Sequence, residues 1–176
     1  VCERKHQGTL VEAVNILAEQ RDDFVLYLVG YRDSLEYGPY IKELIRQYSL
    51  QDKVILVAES DQIEHYYLAA DIFAFSSLNE SYSLSVLEAM AYGLPIVTTR
   101  CCGVGEQVRV GTNAYEAGFR NAKDFSEKIE ILLKDGSLRR KFGVNSQEII
   151  RYMQGGDEML EKHGLLIAAA CQVVLG

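Results

Sequence analysis

Apolar residues along this chain fall into two alternating rhythms. Phe24–Val29, Lys53–Ala58, Asp71–Phe75 and Ile96–Thr99 are near-continuous apolar runs of strand length, as expected for strands covered on both faces. Between them the spacing turns helical. Leu10, Val11, Val14, Leu17 and Ala18 share one face of a helix running to about Gln20. Tyr40, Ile41, Leu44, Ile45 and Tyr48 share another, with Pro39 in its first turn. Asp61 reads as the cap of a short helix from Gln62 to Ala69, and Gly30 as the start of a charged loop. Leu84–Ala91 is again helical and is ended by Gly93 and Pro95; Asn113–Gly118 reads as a last short strand. The remainder is helical, over Ala122–Lys134, Leu138–Met153 and Asp157–Leu175, with breaks at Asp135–Ser137 and Gly155–Gly156. Strands alternating with helices predict an α/β fold with a parallel sheet.

One crossover differs from the others. Ser76–Thr99 reads SSLNESYSLSVLEAMAYGLPIVTT, so strand and helix are joined by a turn crowded with polar groups. In open α/β sheets, ligands sit where a loop leaves the carboxyl end of a strand and meets a helix N-terminus. Ser81, Ser83 and Ser85 are placed to cap that helix, leaving the amides of Ser83 and Leu84 for a phosphate. Glu80 and Glu88 bracket the turn with seven residues between them. On a helix, eight steps of about 100° bring them to within roughly a quarter-turn of each other. A carboxylate beside an anion site serves better as acceptor for hydroxyls, such as a ribose diol or a sugar ring. The plainer alternative stays open: serines that only cap, and a Glu88 that is merely solvated.

Composition removes several function classes. At 176 residues, with 48% hydrophobic and 24% charged side chains, the chain suits one well-cored domain. A net charge of −7 argues against nucleic acid or an anionic membrane as the main partner. No apolar run reaches the ~18–20 residues of a membrane-spanning helix, and no signal peptide is visible. The four cysteines, two of them adjacent at Cys101 and Cys102, form neither a disulfide framework nor a metal motif, which predicts reduced thiols. The chain starts at Val1, and is read as a piece of something longer.

Glu80 and Glu88, the latter within LEAMAYGLPIVTT, resemble the E-x7-E signature of the retaining, two-domain (GT-B) glycosyltransferases of the large family-4 group. ERK near the start, FVLYLVG, KVILVAE, AADIFAFSS and GVGEQVRVGTNA carry the likeness, in order, across most of the chain. The resemblance implies a Rossmann-like three-layer α/β/α sandwich with a mainly parallel sheet, in which residues 1–176 form a single nucleotide-sugar-binding domain with a truncated first strand. It implies transfer of a sugar from a UDP- or GDP-linked donor in polysaccharide or cell-envelope glycan synthesis, with no metal or cofactor. Glu80 would face the transferred sugar, and Glu88 would hold the ribose hydroxyls. Ser83, Leu84 and the cations Arg4 and Lys5 would meet the diphosphate. Val57 and Ala58 would line the base pocket, and Glu106 would edge the donor-sugar loop. His6 stands where the family usually has glycine, which sets the phosphate clamp apart from the usual pattern, and solvated roles for Arg4 and Lys5 stay open.

The acceptor site would belong to a missing N-terminal domain, without which this piece turns over nothing. Helix 157–176 would pack either on that domain or on the chain's own sheet. The full-length protein would be cytoplasmic, with peripheral association at the inner face of the membrane as a further option. A non-catalytic nucleotide-sugar sensor or scaffold of the same fold is the main rival. A flavodoxin-like signalling domain would need an acidic cluster at strand ends, yet the acidic doublet Asp22-Asp23 lies before the Phe24 run. A hydrolase is the weakest reading, because His6, His65 and His163 lie near no GxSxG elbow.

Overall fold

The structure, a computed structural model, describes residues 3–31, 37–101, 103–153 and 171–175. A 3-10 turn at Glu3–Lys5 leads into α1 (Gly8–Ala18), followed by β1 (Phe24–Tyr31), α2 (Tyr37–Gln47), β2 (Val54–Ala58) and α3 (Ile63–Ala69). Then come β3 (Ile72–Phe75), α4 (Leu84–Ala91), β4 (Ile96–Thr99), the one-turn α5 (Val104–Gln107) and β5 (Ala114–Ala117). Two longer helices, α6 (Ala122–Lys134) and α7 (Gly136–Tyr152), precede β6 (Cys171–Leu175).

The six strands lie in the order β2-β1-β6-β3-β4-β5. Neighbours β1/β2, β3/β4 and β4/β5 are parallel, whereas β6 runs antiparallel to both β1 and β3. The sheet is therefore two parallel halves joined through one reversed strand. This corrects the helix expected up to Leu175: residues 171–175 are a central strand, consistent with the β-branched pair Val173-Val174 within it. Residues 157–170, the rest of that expected helix, and Gly155–Gly156 lie outside the described residues.

Successive strand residues face opposite layers, and the core divides accordingly. Ile72, Ala74 and Val97 pack with Leu10 and Val14 of α1, Ile41 and Leu44 of α2 and Phe125 and Ile129 of α6. Phe73, Phe75 and Ile96 face the other way, toward Tyr67 of α3, Val86 and Met90 of α4 and Val104 of α5. Helix α7 straddles the two layers, with Phe142 in the first cluster and Ile150 in the second. The three-layer Rossmann-like sandwich is thereby formed. Among the described residues no helix is long and apolar enough to cross a membrane.

Two local expectations change. Gly30 does not open a loop: β1 continues through it to Tyr31, with Gly30 at φ 84 and a register shift between Val29 and Tyr31, the signature of a bulge. Asp61 does not cap α3; the turn before it is held by Gln62 N–H donating to Ser60 Oγ at 3.1 Å. Side chains do cap α6 and α7. Asn121 Oδ1 accepts from Asp124 N–H at the start of α6, and Asp135 Oδ1 accepts from Ser137 and Leu138 N–H at the start of α7.

The far end of α4 is fixed by α7. A Cβ on Gly143 would lie 2.1 Å from the Gly93 carbonyl oxygen, so only glycine allows this crossing. Beside it, buried Ser146 donates to the Leu94 carbonyl at 2.8 Å and accepts from Asn113 Nδ2 at 3.1 Å. The short helix carrying Glu88 is thus braced at its carboxyl end.

Candidate functional site

Arg4 and Lys5 lie far from Glu80 in sequence, and backbone stitching brings them together. Buried Ser76, the first residue past β3, donates from Oγ to the Lys5 carbonyl at 2.8 Å, with the His6 carbonyl 3.1 Å away. Leu78 N–H donates to the Arg4 carbonyl at 3.0 Å, and Ser77 Oγ reaches the same oxygen at 3.2 Å. These bonds lay the 3-10 turn across the carboxyl end of β3. Lys5 Nζ and Arg4 Nη1 then both reach Glu80 Oε2 at 2.7 Å, and Arg4 also donates to the Asn79 carbonyl at 3.1 Å. Lys5 further sits 4.6 Å over the Phe75 ring. The side chains of Glu80 and Lys5 are only 12% and 15% exposed against 53% for Arg4. Lys5 is the partly buried cation of the cluster and Arg4 the exposed one. His6 takes φ 49, a left-handed backbone, with its ring bonded to Thr9 Oγ1 at 2.7 Å. Glycine adopts that conformation most readily, so His6 holds it at some cost in strain.

Helix α4 starts at Leu84, as the sequence implied, but its N-terminus differs from expectation. No side chain caps it, and Ser83 Oγ lies 3.0 Å from Ser85 Oγ instead. The Ser83 amide is already taken: it donates to Gln107 Oε1 at 3.0 Å. The orphan amides of the first turn therefore begin at Leu84. Ser83 enters the site as a buried hinge between loop and helix, not as an open donor.

Glu88, one helical turn from the end of α4, is half-buried and accepts from the Tyr67 hydroxyl at 2.8 Å. Burial raises its carboxyl above the usual range, and the Tyr67 bond pulls it partly back. Tyr67 is itself 1% exposed and stacks on Tyr92 with ring centres 5.3 Å apart. Tyr67 carries no signal in the sequence, because an apolar-spaced tyrosine on a short helix looks like any core aromatic. Its hydroxyl acquires meaning only once α3 packs beside α4.

Not every expected residue converges. Val57 and Ala58 end β2, the outermost strand, and β1 and β6 intervene before β3. At roughly 4.8 Å per strand that places them about 14 Å along the sheet from the Glu80 cluster. Glu106 is exposed on α5, and Asp71 pairs with Arg139 Nε at 3.8 Å. A cavity of about 400 Å³ lies at the ends of β4 and β5, bordered by Thr99, Arg100, Gly105 and Glu116.

The family model "Glycosyl transferases group 1" matches residues 2–149. The chain belongs to the group 1 glycosyltransferases. It is 30% identical over 128 residues to the N-acetyl-alpha-D-glucosaminyl L-malate synthase of Bacillus anthracis, covering 73% of this chain and 33% of that protein. The chain thus spans about a third of the length of the curated relatives it matches. Its fold matches sucrose-phosphate synthase of Thermosynechococcus elongatus, with a TM-score of 0.80 and 25% identity over 93% of this chain and 41% of that one. It also matches the HepE protein of Anabaena, whose structure was solved with UDP and glucose, with a TM-score of 0.76 and 21% identity over 92% of this chain and 46% of that one. Its fold is the Rossmann-like fold of the GT-B glycosyltransferases.

Proposed function

We propose that this chain is the donor-binding part of a retaining glycosyltransferase that takes a UDP- or GDP-linked sugar and serves polysaccharide or cell-envelope glycan synthesis. The observation that carries the reading is the convergence of Lys5, Arg4 and Glu80 at the start of α4, with Glu88 further along the same helix. Departure of a nucleoside diphosphate leaves negative charge on its phosphates. Two cations and the positive end of α4 stabilise that charge as it develops. Glu88 is suited to a ribose diol: its half-buried carboxylate lacks full hydration, and two hydroxyl donors would supply what water does not. Glu80, held by the cations at the mouth of the site, would orient the hydroxyls of the transferred sugar. An oxocarbenium-like centre would also gain from a carboxylate there. The HepE structure with UDP and glucose supports the nucleotide reading.

Titration calorimetry and thermal shift with UDP, GDP, ADP and their sugars test this directly. Binding in the millimolar range or tighter is expected, with stabilisation growing as ligand exceeds Kd. Absence of binding by all of these nucleotides at millimolar concentration would overturn the reading.

A further inference from the structure

We infer that Gln107 is a positioning residue of the donor site, an inference that rests on the function proposed above. The loop from Ser77 to Ser83, which carries Glu80, is bonded to the β4–α5 segment at three evenly spaced places. Thr99 Oγ1 donates to the Ser77 carbonyl at 2.5 Å, Gly103 N–H donates to the Glu80 carbonyl at 3.0 Å, and Gln107 clasps Ser83. The Gln107 clasp is double. Its Oε1 accepts from the Ser83 amide and its Nε2 donates to the Ser83 carbonyl, both at 3.0 Å.

The middle contact is close enough to exclude any side chain, since a Cβ on Gly103 would lie 1.5 Å from the Ser81 carbonyl oxygen. The two segments therefore run backbone against backbone between the Glu80 and Ser83 rungs. Gln107 is 0% exposed, on a one-turn helix whose other buried side chain, Val104, is apolar. A buried primary amide needs partners for both its ends. Here both partners belong to one residue, Ser83, whose backbone is where loop becomes helix. By fixing Ser83, Gln107 sets the direction in which α4 sets out. It thereby sets where the Leu84 amide lies relative to the Glu80, Arg4 and Lys5 cluster. Binding of phosphate depends on that relation; binding of a nucleoside without phosphate does not.

The experiment compares wild-type chain with Gln107→Met, which keeps the side-chain length and loses both bonds. Affinities for UDP and GDP, and for uridine and guanosine as phosphate-free controls, are read by protein-observed NMR titration. Leaving the Ser83 amide unpartnered, and its carbonyl with the Leu87 N–H as remaining donor, is expected to weaken the diphosphates about tenfold and to leave the nucleosides within about twofold. The diphosphate-induced shift of the Leu84 amide resonance is expected to shrink with it. Should Gln107→Met not fold, Gln107→Asn, polar but too short to span both Ser83 groups, gives the same contrast. A folded variant with wild-type diphosphate affinity overturns the inference and leaves the proposed function standing. Equal weakening of diphosphates and nucleosides does the same. A wild-type chain that binds no nucleoside diphosphate overturns both.

Discussion

Glu80 and Glu88 belong to one motif and one short segment, yet their surroundings are opposite. Glu80 sits in a loop with two cations 2.7 Å from one oxygen. Glu88 sits in the body of α4 with a neutral tyrosine, half-buried, its carboxyl raised by burial. Ion pairing offsets the charge of the first carboxylate, whereas burial disfavours the charged form of the second. The consequence for an anionic ligand is a difference in sign. Glu80 competes with a diphosphate for Arg4 and Lys5, whereas Glu88 is short of donors and gains from any hydroxyl brought to it.

Removing the buried partner should give the largest effect. Glu88→Ala is expected to weaken UDP by about 2 kcal/mol, or some thirtyfold, since bonds to a charged acceptor each contribute about 1.5–3 kcal/mol. Calorimetry that finds UDP affinity unchanged would detach Glu88 from the ribose. The opposite sign is expected at the other carboxylate. Glu80→Gln should tighten UDP by about threefold, a partly solvated ion pair being worth up to about 1 kcal/mol. The same variant should weaken any added affinity that a sugar-linked UDP shows over UDP itself. A Glu80→Gln chain that binds UDP more weakly would mean that Glu80 organises the cations instead of competing for them.

A finer test uses pH. Hydroxyls donate to the ionised form of Glu88, so the bound state has the lower carboxyl pKa and binding releases a proton while free Glu88 is protonated. UDP affinity should then rise with pH from the ordinary carboxylate range through the raised value of free Glu88, and level off above it. Tyr67→Phe removes the bond that opposes that rise, which should shift the whole transition to higher pH. An unmoved titration curve in Tyr67→Phe would show that the hydroxyl does not act on Glu88. The smallest effect is expected beside the cations, at His6→Gly. Relief of the left-handed backbone, about 1 kcal/mol, is offset by loss of the imidazole bond to Thr9, also about 1 kcal/mol. Thermal melting should move by no more than a few degrees for a domain of this size. A large loss would give the His6 ring a structural role beyond the Thr9 bond.

Local pattern was enough for much of this. The limits of α4 and β4 follow from apolar spacing and from Gly93 and Pro95, because helix and strand periodicity are properties of neighbouring residues. Glu80 and Glu88 were legible for the same reason, being tied to one short segment. The C-terminal strand was not. Residues 171–175 are as apolar as a buried helix end, and a run of that length does not distinguish the two. What decides it is the gap between β1 and β3, where unpaired backbone on both sides accepts an extended partner.

The order of residues by itself determined the alternation of strands and helices, the acid pair and its polar turn, because each depends only on near neighbours. Tertiary structure decided the rest: that Arg4 and Lys5 meet Glu80, that Tyr67 meets Glu88, and that Gln107 takes the Ser83 amide. Those contacts join residues between 21 and 76 positions apart, and no local pattern encodes a distance that only the packing of α3, α5 and the 3-10 turn around β3 and α4 creates.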